Sequence, residues 1–411
     1  MNSSGNVNNN NAYNANRVAP IVCLIDARNR YIVPGHRKRQ DKEPDPSWKG
    51  KHRCYDVRDS DIYRACQHCD MTDKEYITEY DQLYDSMAKC KRGVMWKPTT
   101  MSFWLNDIEN IRRMEKKLKS GTWKNGKPKP VQILYPKKRE GMAIPFKDRI
   151  YQRSINDNVL YPSTTRSFTI RNMACQTGRG PDKARTALKR MLWKFYRNNG
   201  RNGYILQLDI KGYYPNMRHD VVKEAFSKHL DKEVLQMVMN VLEDQYHGEI
   251  GYFPGSQMVQ IAGITVLSDI DHYIAEKLHC KSLLYMDDLL IIGENRDELQ
   301  KAKKDLEKKL KEKGFELNEK KTKITPLTKK FTFLGFDFRL TETGKVIMTI
   351  SSKKLKAEKR LLRKFAKDVK AGKRTKESVD AHFAGYLNHA KRGNSYRAIQ
   401  NLIKFYNDLW R

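Results

Sequence analysis

The stretch LLYMDDLLII, residues 283–292, places two adjacent carboxylates inside a run whose other eight residues are apolar or aromatic. The flanks demand burial. An ionised carboxylate resists it unless an opposite charge or a metal compensates. The segment therefore reads as two apolar strands with Asp287 and Asp288 at the tight turn between them. Upstream, GYILQLDIKGYYP (203–215) begins as a strand. Its alternation points Leu206, Leu208 and Ile210 one way and Ile205, Gln207 and Asp209 the other. A strand ending in Asp209 beside a hairpin carrying Asp287 and Asp288 would gather three carboxylates. Such a cluster is repulsive until divalent cations neutralise it, and Mg²⁺ takes one or two carboxylates plus phosphate oxygens. Two ions roughly 3.5–4 Å apart can activate a 3′-hydroxyl and stabilise a leaving pyrophosphate. Taken alone, Asp-Asp between strands is ordinary turn chemistry. The specificity lies in combining it with the LDIKGYY strand.

Charge narrows the partner class. The chain has 411 residues and carries 80 Lys and Arg against 48 Asp and Glu, a formal net charge of +32. That excess runs along the whole chain, and self-repulsion of this size points to a polyanionic partner, nucleic acid before a membrane surface. No 18-residue apolar run and no basic segment leading into an apolar one is present, so a soluble, cytoplasmic protein is expected.

Residues 1–20 are Asn-rich and nearly uncharged, and 35–60 are basic and Pro-containing; both read as irregular chain. FWLNDIENIRRMEKKL reads as a helix with Phe103, Ile108, Ile111, Met114 and Leu118 near one face. VQILYPKKREGMAIPF reads as short strands about a basic turn. DKARTALKRMLWKFYRN reads as a basic amphipathic helix with Ala187, Met191, Leu192 and Phe195 on one side. NRDELQKAKKDLEKKLKEKG reads as a helix capped by Asn295, with Glu298 at its third position, Gly314 as the stop and Leu299, Ala302, Leu306 and Leu310 as the buried stripe. The last sixty residues read as a basic helical bundle. Seven cysteines without a secretion signal argue against a disulfide framework. Cys54, Cys66, Cys69 and Cys90 include one CxxC pair and would suffice as Zn²⁺ ligands; buried or free thiols are the alternative.

YMDD matches the signature of reverse transcriptases, and the surrounding blocks follow in that family's order. IPFKDRIYQRSI (144–155) resembles the block opening the fingers of bacterial members, and MACQTGRGPDKARTAL (173–188) the second fingers block. LQLDIKGYYPNM (206–217) resembles the first palm motif and PGSQMVQ (254–260) the fourth block. GFELNEKKTKI (314–324) and FTFLGFDF (331–338) resemble the two blocks after the palm hairpin. The resemblance covers about 100–411. It implies an α+β right-hand polymerase with fingers, an antiparallel-sheet palm and a helical thumb. The expected division is a mostly irregular N-terminal extension at 1–75, fingers and N-terminal helices at 76–203, palm at 204–345 and thumb at 346–411.

Roles carry over residue by residue. Asp209 and Asp287 would be ligands of both Mg²⁺ ions, for which Mn²⁺ can substitute, and Asp288 the accessory carboxylate. Tyr214 would lie under the incoming sugar and exclude a ribose 2′-hydroxyl, or else be an ordinary half-buried tyrosine. Lys138 and Arg139 would hold the triphosphate, unless the loop is simply solvated. Lys321 would lie near the site. Gly255 would allow close approach to the template base pair, with Gln257 and Gln260 along the same wall. The implied partners are template RNA, cDNA or an RNA/DNA hybrid and dNTPs, with an accessory protein or structured non-coding RNA beside them.

Within the family, KKREGMAIPFKDRIYQ resembles diversity-generating retroelement enzymes of bacteria and phages, and the related defence-associated enzymes. Pro254 and Val259 depart from the fourth-block patterns of both ordinary and diversity-generating polymerases. The Asn-studded start resembles the variable segment of target proteins in diversity-generating systems, where template adenines are mutated; a disordered polar leader is the alternative. The resemblance thus implies error-prone copying of a template repeat. Antiphage defence synthesis by the same chemistry and an RNA-binding maturase role are the alternatives.

Overall fold

The computed structural model describes residues 71–133 and 139–411, together with a two-stranded antiparallel pair, β1 (Leu24–Ile25) and β2 (Tyr31–Ile32). The Asn-rich start, Cys54, Cys66, Cys69 and Lys138 lie outside the described residues.

Four helices come first: α1 (Asp73–Thr78), α2 (Tyr80–Cys90), α3 (Pro98–Leu105) and α4 (Asp107–Lys119). The single helix expected across 103–118 is broken at Asn106 (φ −126°, ψ 43°). The Asn110 amide donates to the Phe103 carbonyl at 2.9 Å, and the Tyr84 hydroxyl donates to Asp107 at 3.2 Å. These bonds replace the lost helical ladder and turn the face. Ile111, Met114 and Leu118 are buried as expected, whereas Ile108 is 58% exposed.

The expected hairpin about the basic turn forms from β3 (Lys129–Ile133) and β4 (Arg139–Ala143), with Ile133 opposite Arg139. Helix α5 (Phe146–Ile155), a π-turn at Asn156–Leu160 and α6 (Tyr161–Thr165) follow. Helix α7 (Pro181–Asn199) starts at a proline, which fits the first helical position. Its buried side chains are Ala184, Arg185, Leu188, Leu192 and Phe195. The apolar face is therefore centred one position away from the expected one, with Ala187 and Met191 on its flank.

The main sheet has strand order β6-β7-β5-β8, built from β5 (Tyr204–Asp209), β6 (Lys281–Tyr285), β7 (Asp288–Gly293) and β8 (Lys323–Pro326), all neighbours antiparallel. Between β5 and β6 run α8 (His219–Ser227), α9 (Lys232–Gln245), α10 (Gln257–Val266) and α11 (Ser268–Glu276); α12 (Arg296–Glu312) follows β7. The expected alternation is met. Leu206, Leu208, Leu284, Leu289 and Ile291 enter a core shared with α8, α10, α11 and α12. Ile205, Leu283, Leu290 and Ile292 enter a second core with α7 and a small sheet. That sheet, order β11-β10-β9, comprises β9 (Phe331–Phe333), β10 (Phe336–Leu340) and β11 (Val346–Ile350). Helix α12 behaves as read from its residues: Asn295 accepts from the Asp297 N–H, Gly314 has φ +81°, and Leu299, Ala302, Leu306 and Leu310 are buried.

The chain ends in three helices, α13 (Ser352–Lys370), α14 (Lys376–Ala390) and α15 (Tyr396–Asp408), around Leu362, Val379, Phe383, Leu402 and Tyr406.

Candidate active site

The three carboxylates converge at one end of the main sheet. Asp209, the last residue of β5, is the direct antiparallel partner of Asp288, the first residue of β7. Directly opposed residues of such a pair project on the same face. The hairpin loop consists of Met286 and Asp287, because Tyr285 already pairs with Asp288. This corrects the expected turn: only Asp287 occupies it, and Met286 takes the left-handed φ of +55° that closes it. A methionine in that region carries backbone strain, held here by the two strands.

A second turn locks onto Asp209 from the β8 side. The Asn318 N–H donates to the Asp209 carbonyl at 2.8 Å, and the Asp209 N–H reaches the Thr322 hydroxyl oxygen at 3.4 Å. The Lys321 and Thr322 N–H groups both donate to the Asn318 carbonyl, at 3.0 and 2.8 Å. Lys321 is thereby aimed at the carboxylate, with Nζ at 2.8 Å from Oδ1 and 3.0 Å from Oδ2 of Asp209.

The electrostatics follow. Burial first, then Asp287 and Asp209, push Asp288 up to about 7. Asp287 is raised mainly by burial and also by Asp209, while Lys321 and Arg139 oppose the shift. Lys321 is raised, chiefly by its hydrogen bond to Asp209. Two half-buried acids held above their usual range and one held by a lysine form a donor set short of positive charge. Among the described residues, no group of three or more His, Cys, Asp or Glu side chains is placed to hold a metal ion by itself. Mg²⁺ does not need one, since substrate phosphates and water complete its octahedron. Asp209, Asp287 and Asp288 offer the kind of oxygen donors that this ion takes.

The other expected residues fall around this cluster. Arg139 opens β4 close enough to lower Asp287 electrostatically. Tyr214 also lies near Asp287 and Cys175; burial raises its hydroxyl, which has no hydrogen-bond partner. Its ring packs on Gly263 of α10, where an added Cβ would sit 2.9 Å from the Tyr214 oxygen. Neighbouring Tyr213 donates to the Gly263 carbonyl, fixing both rings against the helix. Gln257 and Gln260 are exposed on one face of α10, whose N-terminus is capped by Ser256. Gly255 meets the β3–β4 hairpin: a Cβ there would overlap the Met142 carbonyl, and the Met142 N–H donates to the Pro254 carbonyl at 2.9 Å. Cys90 is buried against the Arg149 carbonyl, and burial raises its thiol.

Two residues escaped sequence reasoning. Cys175 (φ +51°) touches the Met286 sulfur at 3.5 Å and approaches Gln260 at 4.0 Å. It is carried there by the segment 171–173, which bonds alongside β6 through Met173 N–H to Leu284 O (2.8 Å) and Leu284 N–H to Arg171 O (3.1 Å). This parallel bridge has no local signal; only the block MACQTGRG hinted at it. Buried Ser256 donates to the Gln152 side chain at 2.8 Å, tying α5 to the start of α10.

A search of curated proteins finds no match. Among solved structures, the chain is similar to apo telomerase from Candida tropicalis truncated from its C-terminal domain, at 17% identity over 55% of each chain with a TM-score of 0.39. It is also similar to apo telomerase from Candida tropicalis, at 15% identity over 59% of this chain and 52% of that one (TM-score 0.43). A third is the insertion loop deletion mutant of a human picobirnavirus RNA-dependent RNA polymerase, at 14% identity over 54% and 45% (TM-score 0.39). The chain thus spans about half the length of these structures. The family model described as "Reverse transcriptase (RNA-dependent DNA polymerase)" matches residues 128–338, which contain the β3–β4 hairpin, the main sheet and all three aspartates. With that match over half of its length, and the α+β right-hand polymerase fold around it, the chain belongs to the reverse transcriptase family, the RNA-directed DNA polymerases.

Proposed function

We propose that this protein synthesises cDNA from a retroelement RNA by nucleotidyl transfer at the Asp209–Asp287–Asp288 cluster. The observation that carries the reading is the direct pairing of Asp209 with Asp288 beside the Asp287 turn. Bound magnesium supplies charge neutralisation for the attacking 3′-hydroxyl and the leaving pyrophosphate. Asp209 and Asp287 hold the ions and Asp288 supports them. Arg139, with Lys138 beside it in sequence, binds the triphosphate. Tyr214 presents its ring to the sugar. Gln257 and Gln260 line the wall by the template base. The working division is extension 1–75, fingers 76–203, palm 204–345 and thumb 346–411. The exposed charged residues of α13, all of them basic, track the nucleic-acid backbone.

The activity is tested by extending a DNA primer on an RNA template with Mg²⁺, against Asp287→Asn. Loss of about 10²–10³-fold is expected, in line with removal of a principal electrostatic group; full activity in the variant overturns the assignment. A maturase role predicts instead that Asp287→Asn keeps biological activity.

Within the family we favour diversification of a template repeat, on the strength of KKREGMAIPFKDRIYQ and the Asn-studded start. Sequencing cDNA made in cells decides this. Substitutions concentrated at template adenines support it, and accurate copies point to the defence role. Zn²⁺ at Cys54, Cys66, Cys69 and Cys90 requires the other three thiols to reach the buried Cys90. Zinc content after dialysis, compared with Cys66→Ser, tests it.

A further inference from the structure

We propose that Lys321 is a built-in counter-cation that occupies the Asp209 carboxylate until divalent metal displaces it. The inference deepens the proposed metal site and rests on it. Lys321 contacts both Asp209 oxygens, at 2.8 and 3.0 Å. Each oxygen keeps a second lone pair, but an ammonium spanning both takes the position a metal ion would occupy, and its charge opposes a cation's approach. Lys321 also interacts favourably with Asp287 and Asp288, so one ammonium faces the whole three-acid cluster. The arrangement is asymmetric in a way that suits exchange. The Lys321 side chain is 62% exposed and the Asp209 side chain 17%. The lysine can therefore swing into water at small cost, while the carboxylate stays fixed by its strand and by the Asn318 and Thr322 bonds to its backbone.

Two opposite consequences follow from removing the ammonium. Without metal, Lys321→Met leaves the three acids with only Arg139 acting on Asp287, and lowers the melting temperature. With metal, nothing competes for Asp209, so binding tightens. A lysine with only a structural role would produce the first effect without the second. Neighbouring Lys320→Met removes the same charge but no such contact.

The test uses full-length protein without nucleotide or nucleic acid, titrated with Mn²⁺ by electron paramagnetic resonance and followed in parallel by thermal melting. For Lys321→Met, the Mn²⁺ dissociation constant should fall roughly fivefold, the factor matching an ion pair worth about 1 kcal/mol. Its melting temperature should start below wild type and rise more on Mn²⁺ addition. Lys320→Met should track wild type in both measurements. Equal or weaker Mn²⁺ binding by Lys321→Met, or the same tightening in Lys320→Met, overturns the proposal. If neither wild type nor Lys321→Met binds Mn²⁺ at this site, with Asp209→Asn as the blank, the metal-site reading itself fails; wild-type binding that Lys321→Met leaves unchanged refutes the counter-cation alone.

Discussion

The packing of Tyr214 on Gly263 offers a way to move a proposed substrate-facing ring without touching it. An alanine at 263 would put its Cβ 2.9 Å from the Tyr214 hydroxyl oxygen and 3.1 and 3.2 Å from two ring carbons. Carbon atoms settle near 3.5–4.0 Å apart, so the ring must retreat by about 0.5 Å. Gly263 lies inside α10, where alanine gains about 1 kcal/mol of helix propensity. Crowding costs about 1–3 kcal/mol. The net change therefore stays within about 2 kcal/mol, a melting shift under roughly 8 °C, and the protein folds. Misplacing a reacting group's support by 1 Å can cost about 10²-fold, so half that displacement should lower kcat/KM for dNTPs about tenfold. The assay is single-nucleotide extension with dNTP and rNTP for wild type, Gly263→Ala, Tyr214→Ala and the double variant. In the Tyr214→Ala background the added methyl meets no ring, so it should cost nothing further. A Gly263→Ala loss of equal size with and without the Tyr214 ring refutes the reasoning.

Other outcomes follow from the same geometry. Asp288 is 3.8 in its ordinary state and about 7 in the folded, metal-free protein. The native state thus binds more protons than the unfolded one, and stability falls as pH rises across that window. Asp288→Asn should flatten the slope of melting temperature against pH between these values; an unchanged slope counts against the half-buried, repelled acid. Gly255→Ala must part the 253–256 loop from β4 and break the Met142–Pro254 bond. Crowding plus that bond amounts to about 2–4 kcal/mol, readable as a lower urea midpoint with weaker dNTP binding. Lys356, Arg360 and Lys364 are exposed on α13. Changing each to alanine should reduce the log–log salt slope of primed-RNA binding by about one for every phosphate left unneutralised, measured by fluorescence anisotropy.

Much of this protein was legible in its residues because the signals are local. Period-two alternation over 204–209 and the apolar flanks of the aspartate pair dictate which faces are buried, and both cores obey them. Capping by Asn295, the stop at Gly314 and the stripe of α12 are matters of one helix and its ends. Long-range partners carry no such imprint. The break at Asn106 depends on Asn110 and Tyr84 finding bonds there, so periodicity alone placed Ile108 inside. Tertiary structure alone decided that Met286 shares the turn with Asp287 and that Cys175 rides in beside β6. It also decided that Gly255 is kept bare by the Met142 carbonyl and that Lys321 grips Asp209. Residue types determine which carboxylates need compensation. Which cation arrives depends on where a separate turn is anchored, and backbone hydrogen bonds between distant segments set that.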